Sequence, residues 1–216
     1  MTAIWKWRGS MLAAALVSLL VGRASAQELL DRVMAIVEGD IITQSDVRTA
    51  IEFGFVDRPQ NGDPYTGPLA QLVDRGLILA EVDRYAPPEP SAAALDGGLA
   101  AIRARFGSPA AFSEALARTG ASEERLRALV RDSLRRDAYL NQRFSAPVQP
   151  TEEELGVYFR EHQGEFARAG RPLTFEDARP QVFDRVMEEH RRLVVADWVA
   201  GLRRRAELSQ VYRAVK

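Results

Sequence analysis

The β-forming patterns of this chain sit at its two ends. Near the start, "DRVMAIVEGDIITQSDV" carries an apolar, partly β-branched run from Val33 to Val37, a Gly-centred turn at "EGD", and renewed strand character at Ile41 and Ile42. Near the finish, "ELSQVYR" has edge-strand character at Leu208, Val211 and Tyr212. A lone strand leaves its backbone N–H and C=O groups unpaired, so it needs a partner. The partner on offer is the hairpin at Val33 to Ile42. The pattern therefore predicts a mainly α fold with a small β-sheet, in which an N-terminal hairpin and a C-terminal strand close a helical body.

The helices between announce their own starts. Thr43 or Ser45 can cap a helix through Phe53, with Asp46 favoured by the positive end of the dipole. "GFVDRPQNGDPYTGP" (Gly54 to Pro68) is a Gly/Pro loop. Leu69, Leu72, Val73, Ile78, Leu79 and Val82 then mark an apolar helical face that "APPEP" (Ala86 to Pro90) terminates. Three helices follow: Ser91 to Phe106, a second with Ser108 as cap and Gly120 as stop, and a third from Ser122 to Phe144. "APVQP" (Ala146 to Pro150) reads as a hinge. Thr151 and Glu154 form a capping box that places Leu155, Tyr158 and Phe159 on one face. After a polar joint, "ARAGR" (Ala167 to Arg171), the longest helix begins under Thr174; Pro180 should kink it or mark its true start.

The first 26 residues have the three parts of a secretory signal: Lys6 and Arg8 without acids, the apolar run Met11 to Gly22, and "ASA" at Ala24 to Ala26. The run is shorter than the roughly 20 residues that span a bilayer. Export with cleavage after Ala26 is expected, leaving a soluble chain of residues 27–216. Without Lys6, Arg8 and Arg23 that chain has 26 basic and 30 acidic residues. Nucleic acid would call for a basic excess, so it is not an expected partner. There is no Cys, which excludes thiol catalysis, Cys-bound metal and a lipid-bearing Cys. Nearly every basic residue is Arg, which stacks on aromatic rings and peptide planes better than Lys does.

Catalytic patterns are not apparent. His162 and His190 each stand alone on a helix, without the paired spacing of a helical zinc site. There is no Gly-rich phosphate loop after a strand and no nucleophile elbow. The acids Glu152 to Glu154 belong where a helix N-terminus favours them. Neither catalytic residues nor a cofactor or metal site are assigned.

The order of these motifs resembles the SurA-type periplasmic chaperones and the related secreted parvulin-type foldases. Val33, Ala35, Val37, Gly39, Ile41, Ile42, Ser45, Asp46 and Val47 match the opening strand pair and capped helix of that family. "PTEEELGVYFREHQGEF" is similar to the helix before its catalytic domain, and "LTFEDARPQVFDRVMEEHRRLVVADWVAGLRRRAEL" to the helix and strand after it. In catalytic members an isomerase domain, on the order of 50 residues or more, sits between the two. Here "ARAGRP" takes its place.

The resemblance thus implies one chaperone module over residues 27–216, divided at 145/146, without the prolyl isomerase. The expected function is an ATP-independent periplasmic holdase for unfolded exported proteins, outer-membrane precursors among them. It would need no cofactor and no stable membrane insertion, and segment exchange between two copies leaves a homodimer open. Phe55 and Tyr65 in the Gly/Pro loop, with Phe112 and Phe144, are the candidate client contacts. A scaffold that binds one folded envelope partner is the alternative, and an enzyme of unrecognised activity a third reading.

Overall fold

The computed structural model describes residues 31–145, 149–168 and 170–214. The proposed signal at 1–26, part of the expected hinge and the last two residues lie outside them. The described chain is mainly helical, with a three-stranded antiparallel sheet in the order β2-β1-β5. Strand β1 (Val33–Val37) is central, flanked by β2 (Asp40–Thr43) and by β5 (Leu208–Gln210). The two ends meet in one sheet, as the isolated C-terminal pattern required.

Local chemistry explains the sheet. Val37 pairs with Asp40, leaving Glu38 and Gly39 as a two-residue turn in which both φ angles are positive, 51° and 91°. That combination fits the right-handed twist of a hairpin. Glu38 is a costly residue for this conformation, and the C-terminal segment compensates. Its N–H donates to the Glu207 carbonyl at 2.9 Å, and its carboxylate accepts from the Glu207 N–H at 3.0 Å. A bulge between Val33 and Ala35 turns Met34 and Ala35 both inward. The Met34 carbonyl then accepts from both Val211 and Tyr212.

Helix α1 (Gln44–Glu52) starts at Thr43, not Ser45, through a reciprocal capping box with Asp46. Helix α2 (Thr66–Tyr85) begins three residues before the apolar face first read at Leu69, because Pro68 is tolerated in a first turn. Helix α2 lies on β1 with Gly76 facing Val37, where an added Cβ would make ordinary contact with the valine side chain at 3.4 Å. Helices α3 (Ala92–Ala104), α4 (Pro109–Thr119) and α5 (Glu123–Arg143) start at serine caps Ser91, Ser108 and Ser122. Helix α6 (Glu152–Glu161) starts at the Thr151/Glu154 box, and α7 (Phe175–Arg205) at Thr174. Pro180 lies inside α7 and does not begin it. Its position in the second turn withdraws a single donor from the ladder.

The polar joint between α6 and α7 is a miniature hairpin. Strand β3 (Ala167–Arg168) pairs with β4 (Arg171–Pro172) around Gly170 at φ 80°. It folds α6 back along α7 and tucks Phe166 between them, 1 % exposed.

Three apolar cores result. The first joins β1, α2, Tyr139 of α5 and the C-terminal half of α7. The second gathers Phe53, α3, α4 and α5, with the rings of Phe53, Phe106 and Phe112 at 5.4 to 5.9 Å. The third lies between α6 and the N-terminal half of α7. Helix α7 thus serves two cores, and its middle is left open: Leu193 and Val194 are exposed.

Candidate functional site: an aromatic groove on α2, α5 and α7

An aromatic groove forms where the end of α2, the last turns of α5 and the C-terminal half of α7 converge. Helix α2 stops at Ala86, which takes the left-handed conformation (φ 42°, ψ 60°) ahead of Pro87 and Pro88. Glu89 then anchors this linker to α5. Its carboxylate accepts two parallel hydrogen bonds from Arg131, at 2.7 and 2.6 Å, and Arg135 lies between Glu89 and Asp83 at 3.4 and 2.8 Å. The bonds from Arg131 hold the Glu89 carboxyl below its usual range. Arg135 itself is buried, and its Nε has no hydrogen-bond partner.

This anchoring sets Tyr85 and Pro87 over α5. Tyr85 is 64 % exposed and its ring lies 5.7 Å from that of Tyr139, which is 6 % exposed. From Tyr139 the aromatic surface runs to Trp198 of α7 at 6.0 Å, and from Trp198 to Phe144 at 5.5 Å. The Arg143 guanidinium stands over three of these rings, 5.1 Å from Trp198, 5.7 Å from Phe144 and 6.0 Å from Tyr139. Burial pushes the Tyr139 hydroxyl up, against the opposing pull of Arg143. Tyr85, Pro87, Tyr139, Gln142 and Arg143 line a cleft of about 350 Å³. A second depression of about 480 Å³ continues from the same end of α5, with Asn141 and Phe144 facing Phe183, Met187 and Arg191 of α7.

Flat rings, a proline and a guanidinium suit side chains of an extended polypeptide, which meet them by apolar contact and stacking. None of the groups in this cleft is a nucleophile paired with a base.

The four candidate contact residues fall in three places. Phe144 is in the groove. Phe55 is half-buried against the second core, with the Arg75 guanidinium 5.6 Å above its ring; burial drags that guanidinium down to about 10. Tyr65 is half-buried and precedes α2. Its hydroxyl accepts from Gln44 at 2.9 Å and Arg48 at 3.4 Å, and its ring meets Tyr212 edge-on at 5.8 Å. It also borders a shallow cleft of about 360 Å³ with Arg48, Arg58 and Arg118.

Phe112 is a correction. At 4 % exposure inside the Phe53–Phe106 cluster it belongs to the second core and offers nothing to a partner. The groove's other members, Tyr85, Tyr139, Arg143 and Trp198, were not among the candidates. The available signal was Tyr85, a large aromatic residue set directly before a helix-stopping "APPEP".

Of the two histidines, His162 stacks on Tyr158 at 4.1 Å and reaches the Tyr158 carbonyl at 2.9 Å, while His190 lies 3.8 Å from Glu154. No protein-family model matches the chain, and no curated protein matches it.

Proposed function

We propose that the protein is an ATP-independent periplasmic holdase that receives unfolded exported polypeptides along the α2/α5/α7 groove. The observation that carries this reading is the aromatic run Tyr85–Tyr139–Trp198–Phe144, in which the exposed Tyr85 ring opens to solvent, Trp198 and Phe144 are half-buried, and Arg143 lies over the rings. Outer-membrane barrel precursors, whose strands alternate apolar and polar residues with aromatic girdles, are suitable clients. The sequence resemblance to SurA-type chaperones supports the same reading. So does the miniature hairpin between α6 and α7: both of its ends lie at the surface close together, the kind of point at which a domain can be gained or lost without disturbing its neighbours.

The test mixes the chain from Gln27 onward with a urea-diluted outer-membrane barrel protein and, separately, with an unrelated unfolded protein. Aggregation is followed by light scattering and binding by anisotropy. Suppression of both at near-stoichiometric ratios without ATP is expected. Tyr85→Ser, which removes an exposed ring, should weaken binding by about 1–2 kcal/mol at unchanged Tm. Failure to bind either client overturns the holdase reading in favour of a scaffold for one folded partner.

A further inference from the structure

The groove also carries a charge that the fold does not use. Arg131 and Arg135 are paired with acids, as are Arg84 with Glu81 at 2.7 Å and Arg191 with Glu188 at 3.8 Å. Arg143 makes no ion pair among the described residues, and its hydrogen bond is a long one, 3.4 Å, to the Tyr139 hydroxyl. Contact with rings engages the face of a guanidinium. Its edge keeps N–H donors in a fork that matches a carboxylate. The cleft lining holds this one cation and no acid, and the nearby carboxylates of Glu81, Asp83 and Glu89 are already held by Arg84, Arg135 and Arg131. Among the described residues the cleft offers the Arg143 edge no acid of its own, so an acidic side chain of a bound partner can supply one.

Distance narrows what can supply it. The Arg143 guanidinium lies 6.0 Å from the centre of the buried Tyr139 ring, and the exposed Tyr85 ring lies 5.7 Å from that same ring and lines the cleft with Arg143. An extended chain places residues i and i+2 on the same face, roughly 6.5 Å apart. A client ring laid against the exposed Tyr85 therefore lets the side chain two residues away reach toward Arg143 within the same cleft. We propose that the cleft selects client segments of the form aromatic-x-acid, in which the aromatic ring rests on Tyr85 and the carboxylate of Asp or Glu takes the edge of Arg143. This specificity rests on the holdase reading and refines it: clients are chosen by the local neighbourhood of an aromatic ring and an acid, not by apolar content alone.

The experiment uses the purified protein and fluorescein-labelled peptides with amidated ends, identical except for the pair Phe-x-Asp, Phe-x-Asn, or Phe-Asp with the acid moved to the opposite face. A fourth peptide carries Phe-x-Asn with a free C-terminal carboxylate near the ring. Anisotropy should give about tenfold tighter binding for Phe-x-Asp than for Phe-x-Asn and Phe-Asp, falling with added salt. Arg143→Gln should abolish that preference, so that Phe-x-Asp and Phe-x-Asn bind this variant equally. Tyr85→Ser should weaken Phe-x-Asp and Phe-x-Asn alike, and both variants should keep the parent Tm. Equal affinities for Phe-x-Asp and Phe-x-Asn would overturn the charge selection while leaving the groove as a client site. A preference shown only by the peptide with a free end would overturn it in favour of chain termini. Binding of no peptide at all would remove both the selection and the groove.

Discussion

Two adjacent glycines on α3 should respond oppositely to the same substitution. A Cβ added at Gly97 meets nothing within 4 Å, whereas one added at Gly98 would lie 2.5 Å from Cγ1 of Val130 on α5. In a helix interior, Gly→Ala gains up to about 1 kcal/mol of backbone propensity, and this gain is common to both sites. The clash is not. Val130 is 5 % exposed within the second core, and a helical Val has one strongly preferred rotamer, so it cannot swing aside cheaply. Overpacking of this kind costs about 1–3 kcal/mol. Gly97→Ala should then be more stable than the parent and Gly98→Ala less so by up to about 2 kcal/mol, separating the two melting temperatures by roughly 2–12 °C for a domain of this size. Urea titration of the three proteins gives the same comparison at constant temperature. Adding Val130→Ala to Gly98→Ala should recover part of the loss, because the new methyl enters the space vacated. Equal stability of the two glycine variants would refute the close approach of α3 and α5.

The Asp63 carboxylate is pulled from 3.8 to about 2, chiefly by hydrogen bonds from Thr66 and from Tyr212, the latter at 2.5 Å. A lowered folded pKa stabilises above the unfolded value and loses that contribution as pH falls through the folded one, so Tm should fall between pH 4 and 2 more steeply in the parent than in Asp63→Asn. Arg135→Met removes a buried cation whose partner Asp83 is exposed and returns to water, while Glu89 stays bonded to Arg131; stability should be unchanged or raised, and a loss above about 2 kcal/mol by urea titration would contradict this. Phe166→Ala empties the heart of the third core and should cost about 3–5 kcal/mol there. Hydrogen exchange should show residues 152–173 losing protection while β1 and α2 keep theirs.

Much of the architecture was legible because its signals are local. A Thr or Ser three residues before an acid or a free N–H is a cap wherever the chain goes next, and Thr43, Ser108, Ser122, Thr151 and Thr174 all cap helices. The meeting of the two ends followed from one unpaired strand. The site was far less legible, for a physical reason: helical periodicity says which face of a helix is apolar, not what lies opposite. The apolar stripe of α7 looks continuous in sequence, yet it is shared between two cores with an open stretch around Leu193 and Val194. Phe112, near the start of α4, is covered by α3, α5 and Phe53, while Phe144, at the end of α5, comes to rest beside Trp198 from another helix. The groove is assembled from three helices whose contributing residues span Tyr85 to Trp198, so no single window of sequence contains it.

The pairing of Val37 with Leu208 has a consequence for how the molecule is made. Strand β1 is made before helices α1 to α7, yet one of its two edges stays bare until β5 has been delivered. Hairpin and helices can form locally within microseconds, but this last registration must close a very long loop first, which makes it the slow, topology-limited event. During that interval the newborn protein presents an open β edge of its own. A chain interrupted before Glu207 would keep that edge indefinitely, and would also leave Glu38 without the bonds that hold its turn. Arrival of β5 thus acts as a check on the sheet: chains that include it seal the β1 edge, and chains that stop short of it remain adhesive.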